Sequence, residues 1–116
     1  MGQKHVVITF NRAPYGSIFY TEGLRAAVGV TSGIDEHTVD LLYLGDGVHF
    51  ARKDLERTDS AKYLATLSAQ GVNLKVKRED LEARGISESE LAADVEAISR
   101  DQALALIRGA DLTIDF

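Results

Sequence analysis

The chain has 116 residues, 45% of them hydrophobic and 27% charged, which fits one globular domain whose core needs neither a disulfide nor a metal to fold. A net charge of −5 and a pI of about 5.1 exclude a general nucleic-acid or membrane-surface binder, which needs a basic face. No apolar run reaches the roughly 18 residues of a membrane span, and cysteine is absent, so thiol chemistry is closed to the chain.

The first residues lead straight into a strand pattern rather than a secretory segment, which points to a cytoplasmic protein. His5–Phe10 is a β-branched run of strand length. It ends in a polar loop, Asn11–Gly16, that holds the sole proline. Ser17–Val30 reads as a helix with Ser17 as its N-cap, although Gly23 and Gly29 each weaken it by about 1 kcal/mol relative to alanine. Thr31–Thr38 is a loop and Val39–Leu44 a second strand, stopped by Gly45-Asp-Gly. Asp59–Gln70 is a helix, capped by Thr58 or Asp59 and terminated by Gly71. Val72–Lys77 alternates as a third strand.

Ser87-Glu-Ser-Glu and Ser99-Arg-Asp-Gln both have capping-box spacing, with a short strand between them at Asp94–Ile98. Asp101–Arg108 is a helix closed by Gly109, and Leu112–Phe116 is a last strand that sets the end of the chain in the sheet. Strands separated by helices imply parallel crossovers. The expected fold is a three-layer α/β/α domain over residues 1–116, Rossmann-like, with a mostly parallel sheet of about five strands.

In such a sheet, ligands bind outside the carboxyl ends of the strands. Three segments fall there. In the first, Asn11, Arg12, Pro14, Tyr15, Gly16 and Ser17 lead into a helix N-terminus, where free N–H groups favour an anion. The same residues also suit a plain turn and cap, and the loop matches neither a P-loop nor G-x-G-x-x-G. In the second, Asp46, Gly47 and His49 follow the second strand; Asp46 either bonds a ligand or partner backbone, or caps local N–H groups in a tight turn. In the third, Lys77, Arg78 and Asp80 follow the third strand.

His5, His37 and His49 lack metal-ligand spacing, so neither a metal nor another cofactor is expected. Lys75, Lys77 and Arg78 form one basic cluster, and Arg52, Lys53, Arg57 and Lys62 a second. Residues 79–101 hold eight acids against two arginines, a surface that can complement a basic patch on another subunit or simply remain solvated.

Three stretches carry a resemblance to a known family: N-R-A-P-Y-G-S at Asn11–Ser17, G-D-G-V at Gly45–Val48 and D-L-E-A-R-G-I at Asp80–Ile86. In order, spacing and total length the chain resembles the DsrE/DsrF-like sulfur-relay proteins, and the DsrF and TusC subunits most of all. The resemblance implies a parallel α/β sheet and assembly into hexamers or related rings. It also implies a reactive thiol just after the third strand, in the segment that here reads Val76–Asp80. In that register Lys77 and Asp80 stand where relatives can carry cysteine, and neither can hold a persulfide.

The resemblance therefore implies a non-catalytic subunit supporting cysteine-bearing paralogues of the DsrE/TusD and DsrH/TusB kinds, in sulfur oxidation or transfer-RNA thiolation. Lys77 and Arg78 would then be placed to stabilise a thiolate on a neighbouring chain. No direct nucleic-acid or membrane contact is expected. The alternative is a self-sufficient homo-oligomer binding a small anion or metabolite at the same edge. A third reading, a cysteine-independent enzyme using Asp46, His49 or Lys77, lacks an acid–base pair of diagnostic spacing.

Overall fold

The computed structural model describes residues 4–12, 19–31, 37–53 and 61–116. Strand β1 spans His5–Phe10, helix α1 Phe19–Thr31 and strand β2 Thr38–Tyr43. A 3₁₀ helix at Gly45–Ala51 precedes α2 (Ala61–Ala69) and β3 (Asn73–Lys77). Next come α3 (Arg78–Ala83), a second 3₁₀ turn at Glu88–Glu90, β4 (Val95–Ile98), α4 (Arg100–Gly109) and β5 (Leu112–Asp115). The five strands lie in the order β4-β3-β2-β1-β5, and every ladder is parallel.

Strand periodicity sorts the core into two layers. Val6, Ile8 and Phe10 face one side with Leu41, Tyr43 and Val76, where Leu24 of α1 and Leu64 and Leu67 of α2 cover them. Val7 and Leu42 face the other side with Ile98 of β4, where Ala103 of α4 packs on them. Because β1 is covered on both faces, Val6, Val7 and Ile8 follow one another without polar alternation. An aromatic cluster fills the first layer near the carboxyl ends of the strands. Phe10 meets Tyr20 edge-on at 4.9 Å, Tyr20 stacks on Phe50 at 3.8 Å, and the Tyr20 and Tyr43 hydroxyls are 2.8 Å apart.

Two helices end in Schellman motifs. Gly71 has φ 78°, and Val72 N–H bonds Leu67 O at 3.0 Å. Gly85 has φ 67°, and Ile86 N–H bonds Leu81 O at 3.0 Å, with both side chains in the core.

Several expectations need correction. Strand β2 begins one residue early because Thr38 N–H bonds Lys4 O at 3.0 Å, extending the ladder to β1. The tight turn expected at Gly45–Gly47 is a full 3₁₀ helix of 7 residues. Of the residues placed at the carboxyl end of the third strand, Lys77 closes β3, and Arg78 and Asp80 open α3, which follows without a linker. The Ser87 capping box does not form, and the Ser87 hydroxyl instead meets that of Ser89 at 2.6 Å. Backbone bonds from Lys53 N–H to Glu90 O and from Ala92 N–H to Ala51 O, each 2.8 Å, draw the chain out of helix after one turn. The Ser99 box does form. Gln102 N–H donates to Ser99 Oγ at 3.2 Å, and Ser99 N–H donates to Gln102 Oε1 at 2.9 Å. The proposed caps Ser17, Thr58 and Asp59 lie outside the described residues.

Candidate functional site

The chain steps from β1 through β4 in one direction, then crosses back over the sheet to place β5 on the far side of β1. A right-handed return requires α4 to lie on the face opposite α1 and α2. The topological switch point is therefore between β1 and β5, and the carboxyl-edge crevice there is where ligands bind in open α/β sheets.

That crevice is laced by the chain itself. Asn11 N–H donates to Phe116 O at 3.1 Å, and Phe116 N–H to Thr9 O at 2.9 Å. The Asp115 carboxylate accepts from Thr9 Oγ1 at 2.7 Å and from Asn11 Nδ2 through the same oxygen. Beside it, Leu44 N–H bonds Phe10 O at 2.9 Å as β2 gives way to the 3₁₀ helix. Gly47 is pressed against the end of β1, where an added Cβ would lie 1.9 Å from Phe10 O.

The segment after β3 joins this edge through ion pairs. Asp80 Oδ2 accepts the Gly45 N–H at 2.8 Å and lies 3.5 Å from Lys77 Nζ. Arg84 reaches back along α3, donating from Nη1 to Asp80 O at 3.1 Å, and from Nε to Asp46 Oδ1 at 3.1 Å. Arg78 turns towards β4, where it meets Ala97 O at 3.3 Å and Glu88 at 3.4 Å. The exposed Glu79 carboxyl is held below the ordinary carboxylate range, first by the Arg100 backbone N–H at the start of α4 and then by its own N–H.

Asn11, Asp46, Gly47, Lys77 and Asp80 are thus brought together at one edge, with exposed Arg12 next to Asn11. His49 is half-buried within the 3₁₀ helix, and Arg78 belongs to the β4 side. Pro14, Tyr15, Gly16 and Ser17 lie outside the described residues. Sequence reasoning set the segment beginning at Gly45 on this edge but missed Arg84 and Asp115 as parts of the site. The end of the last strand was a usable signal for Asp115, since it must share the edge. Arg84 had no such signal until α3 set it one turn beyond Asp80. Among the described residues, no three His, Asp or Glu side chains group to hold a metal, and no helix is long and apolar enough to cross a membrane.

The chain resembles solved structures along its whole length. YchN of E. coli superposes with a TM-score of 0.82 and 26% identity, covering 100% of both chains. MTH1491 of Methanobacterium thermoautotrophicum, a protein of unknown function, gives 0.77 at 16% identity, over 98% of this chain and 100% of that one. BT1422 of Bacteroides thetaiotaomicron, also of unknown function, gives 0.61 at 9% identity, over 97% and 95%. No curated protein matches. The DsrE/DsrF-like family model matches residues 4–116, and with a parallel five-stranded sheet of the same shape beneath it, the chain belongs to the DsrE/DsrF-like family.

Proposed function

We propose that this protein is a non-catalytic, DsrF/TusC-like subunit of a cytoplasmic sulfur-relay complex. It supports cysteine-bearing paralogues of the DsrE/TusD and DsrH/TusB kinds in persulfide transfer. The carrying observation is the segment at the end of β3. Where the family resemblance places a reactive thiol, this chain has Lys77 and Asp80, and the Asp80 carboxylate is held by the Gly45 N–H and the Lys77 ammonium. A relay step needs a thiolate that attacks and then releases sulfur, which a carboxylate cannot do.

The neighbouring charges support a docking role over an activating one. Lys77 faces Asp80, Arg78 faces Glu88 and Arg84 faces Asp46, so these cations are each matched by a carboxylate. The expectation that Lys77 and Arg78 would lower the pKa of a partner's thiol is therefore set aside: a cation already paired gives a partner little net field. What the edge offers a partner is a fixed shape with satisfied polar groups.

The test is native mass spectrometry of the tagged protein, purified gently from its own cells. Co-purification in fixed ratio with cysteine-bearing chains of the same family is the expected result, with added sulfur on those partners. A homo-oligomer without companions would overturn the reading.

A further inference from the structure

The amino-terminal edge of the sheet, opposite the site described above, carries a second polar constellation. A cleft of about 400 Å³ opens there at the starts of β2 and β3, lined by His5, Thr38, Val39, Asp40, Val72 and Asn73 among others. Small-molecule sites typically span roughly 300–1,000 Å³. Asp40 is only 8% exposed. Its Oδ2 lies 2.7 Å from His5 Nε2, and its Oδ1 accepts from Asn73 Nδ2 at 3.0 Å.

These bonds make Asp40 the one formal charge among the described lining residues. His5 as the neutral ring donates Nε2–H to Asp40 and keeps Nδ1 as a bare acceptor. The Lys4 backbone N–H donates to His37 Nδ1 at 2.9 Å, so that ring is neutral too, with its proton on Nε2. Among the described residues, no lysine or arginine lines the cleft. Lys4 is exposed and outside the lining, and Lys75 on β3 is turned to Glu96 at 3.8 Å. A second carboxylate borders the same edge: Asp111 Oδ2 accepts the His5 backbone N–H at 2.8 Å.

A buried charge is costly unless it is both hydrogen-bonded and paired. Asp40 has the hydrogen bonds and lacks the cation. Each of its oxygens accepts one hydrogen bond from the described residues, and each keeps a second lone pair. Those lone pairs call for N–H donors carrying positive charge, whereas an anion would meet the Asp40 charge head-on. A divalent metal would need more ligands, and among the described residues no three His, Asp or Glu side chains group to supply them. Val39 and Val72 add an apolar wall beside the carboxylate.

We infer that this cleft binds a small primary alkylammonium ion, which donates N–H to the open lone pairs of Asp40 and lays its methylenes against Val39 and Val72. The site lies at the opposite edge from Asp80 and is independent of the relay reading.

The test is a titration of ¹⁵N-labelled protein with n-butylammonium chloride at fixed ionic strength, followed by NMR, with n-butanol and tetramethylammonium as comparison probes. Saturable shifts at the Thr38, Gly71 and Asn73 amides are expected with butylammonium, at a Kd of about 1 mM or tighter. Butanol lacks the charge and tetramethylammonium lacks the N–H donors, so each should bind about tenfold more weakly or worse. Asp40→Asn keeps the shape, removes the charge and should weaken butylammonium binding about tenfold or more. Asp101→Asn on the exposed start of α4 should leave it unchanged. Gln70→Lys sets a like charge in the lining and should weaken binding about threefold or more. Gln70 is exposed, so Q70K carries the test alone if D40N fails to fold. Shifts that stay linear, or binding undiminished in a folded D40N or in Q70K, overturn the proposal. Equal saturation by butanol or by tetramethylammonium overturns the ammonium assignment.

Discussion

Replacing Gly47 with alanine tests the claim that the candidate edge is set by backbone contact. The new Cβ would fall 1.9 Å from Phe10 O, 2.6 Å from Phe10 C and 3.2 Å from Asn11 N. Carbon–oxygen contacts close at roughly 3.3 Å, so the 3₁₀ helix must lift from β1 by about 1.4 Å. Backbone atoms cannot rotate away as a side-chain tip can. The lift strains the bond from Leu44 N–H to Phe10 O, now 2.9 Å, and disturbs the fully buried Phe10 ring. Overpacking costs about 1–3 kcal/mol and a lost hydrogen bond about 1 kcal/mol more, so G47A should lose about 2–4 kcal/mol. With a urea slope of about 2 kcal/mol per molar, the midpoint should fall by roughly 1–2 M. The comparison is Gly29→Ala in α1, where the added methyl meets nothing within 4 Å. That change should be neutral or stabilise by up to about 1 kcal/mol. If G47A and G29A unfold at the same urea concentration as the wild type, the account of this edge is wrong.

Ser99→Ala removes one half of the capping box on α4 and should cost about 1 kcal/mol, read as faster amide exchange in the first turn of that helix. A double-mutant cycle between Lys77→Met and Asp80→Asn should give a coupling of about 0.5–1 kcal/mol, since both side chains are largely sheltered. Zero coupling would mean that Asp80 is held by the Gly45 N–H alone. Glu79→Gln tests the depressed Glu79 carboxyl. A group whose folded-state value is lowered stabilises the fold above its unfolded value, and loses that contribution as pH falls through the folded value. Wild type should therefore exceed E79Q in urea resistance at neutral pH, and the gap should close on acidification below the ordinary carboxylate range. A gap that persists in acid would refute it.

The strands and their order along the chain were legible because β-branched runs bounded by glycine and polar residues leave little choice. The carboxyl-edge placement of Asn11, Asp46 and Asp80 followed from the parallel fold. Two elements were not legible, and for physical reasons. The 3₁₀ helix at Gly45–Ala51 is dictated by burial of Val48 and Phe50 against the aromatic cluster, a tertiary demand that overrides the turn chemistry of Gly-Asp-Gly. Helix α3 is only six residues long and has no side-chain cap, so no periodicity could have revealed it. Its Schellman glycine at Gly85 was visible in the sequence but had no recognised helix to end. The pairing of Asp80 with Gly45 depends on both elements, which is why that contact was out of reach of sequence patterns. The His5–Asp40 pair was equally hidden. Its partners are 35 residues apart and meet because β1 and β2 lie in register, at an edge where parallel sheets seldom bind ligands.

The pairing of β5 with β1 has a kinetic consequence. Thr9 and Asp115 meet across 106 residues of sequence, so the outer edge of β1 stays open until nearly all of these residues have left the ribosome. During that interval the row of free N–H and C=O groups beside Val6–Thr9 is a template for any passing strand. Folding of this domain is then limited by its last contact to form rather than by its most stable one, and a nascent chain stalled before Leu112 should be a client for chaperones.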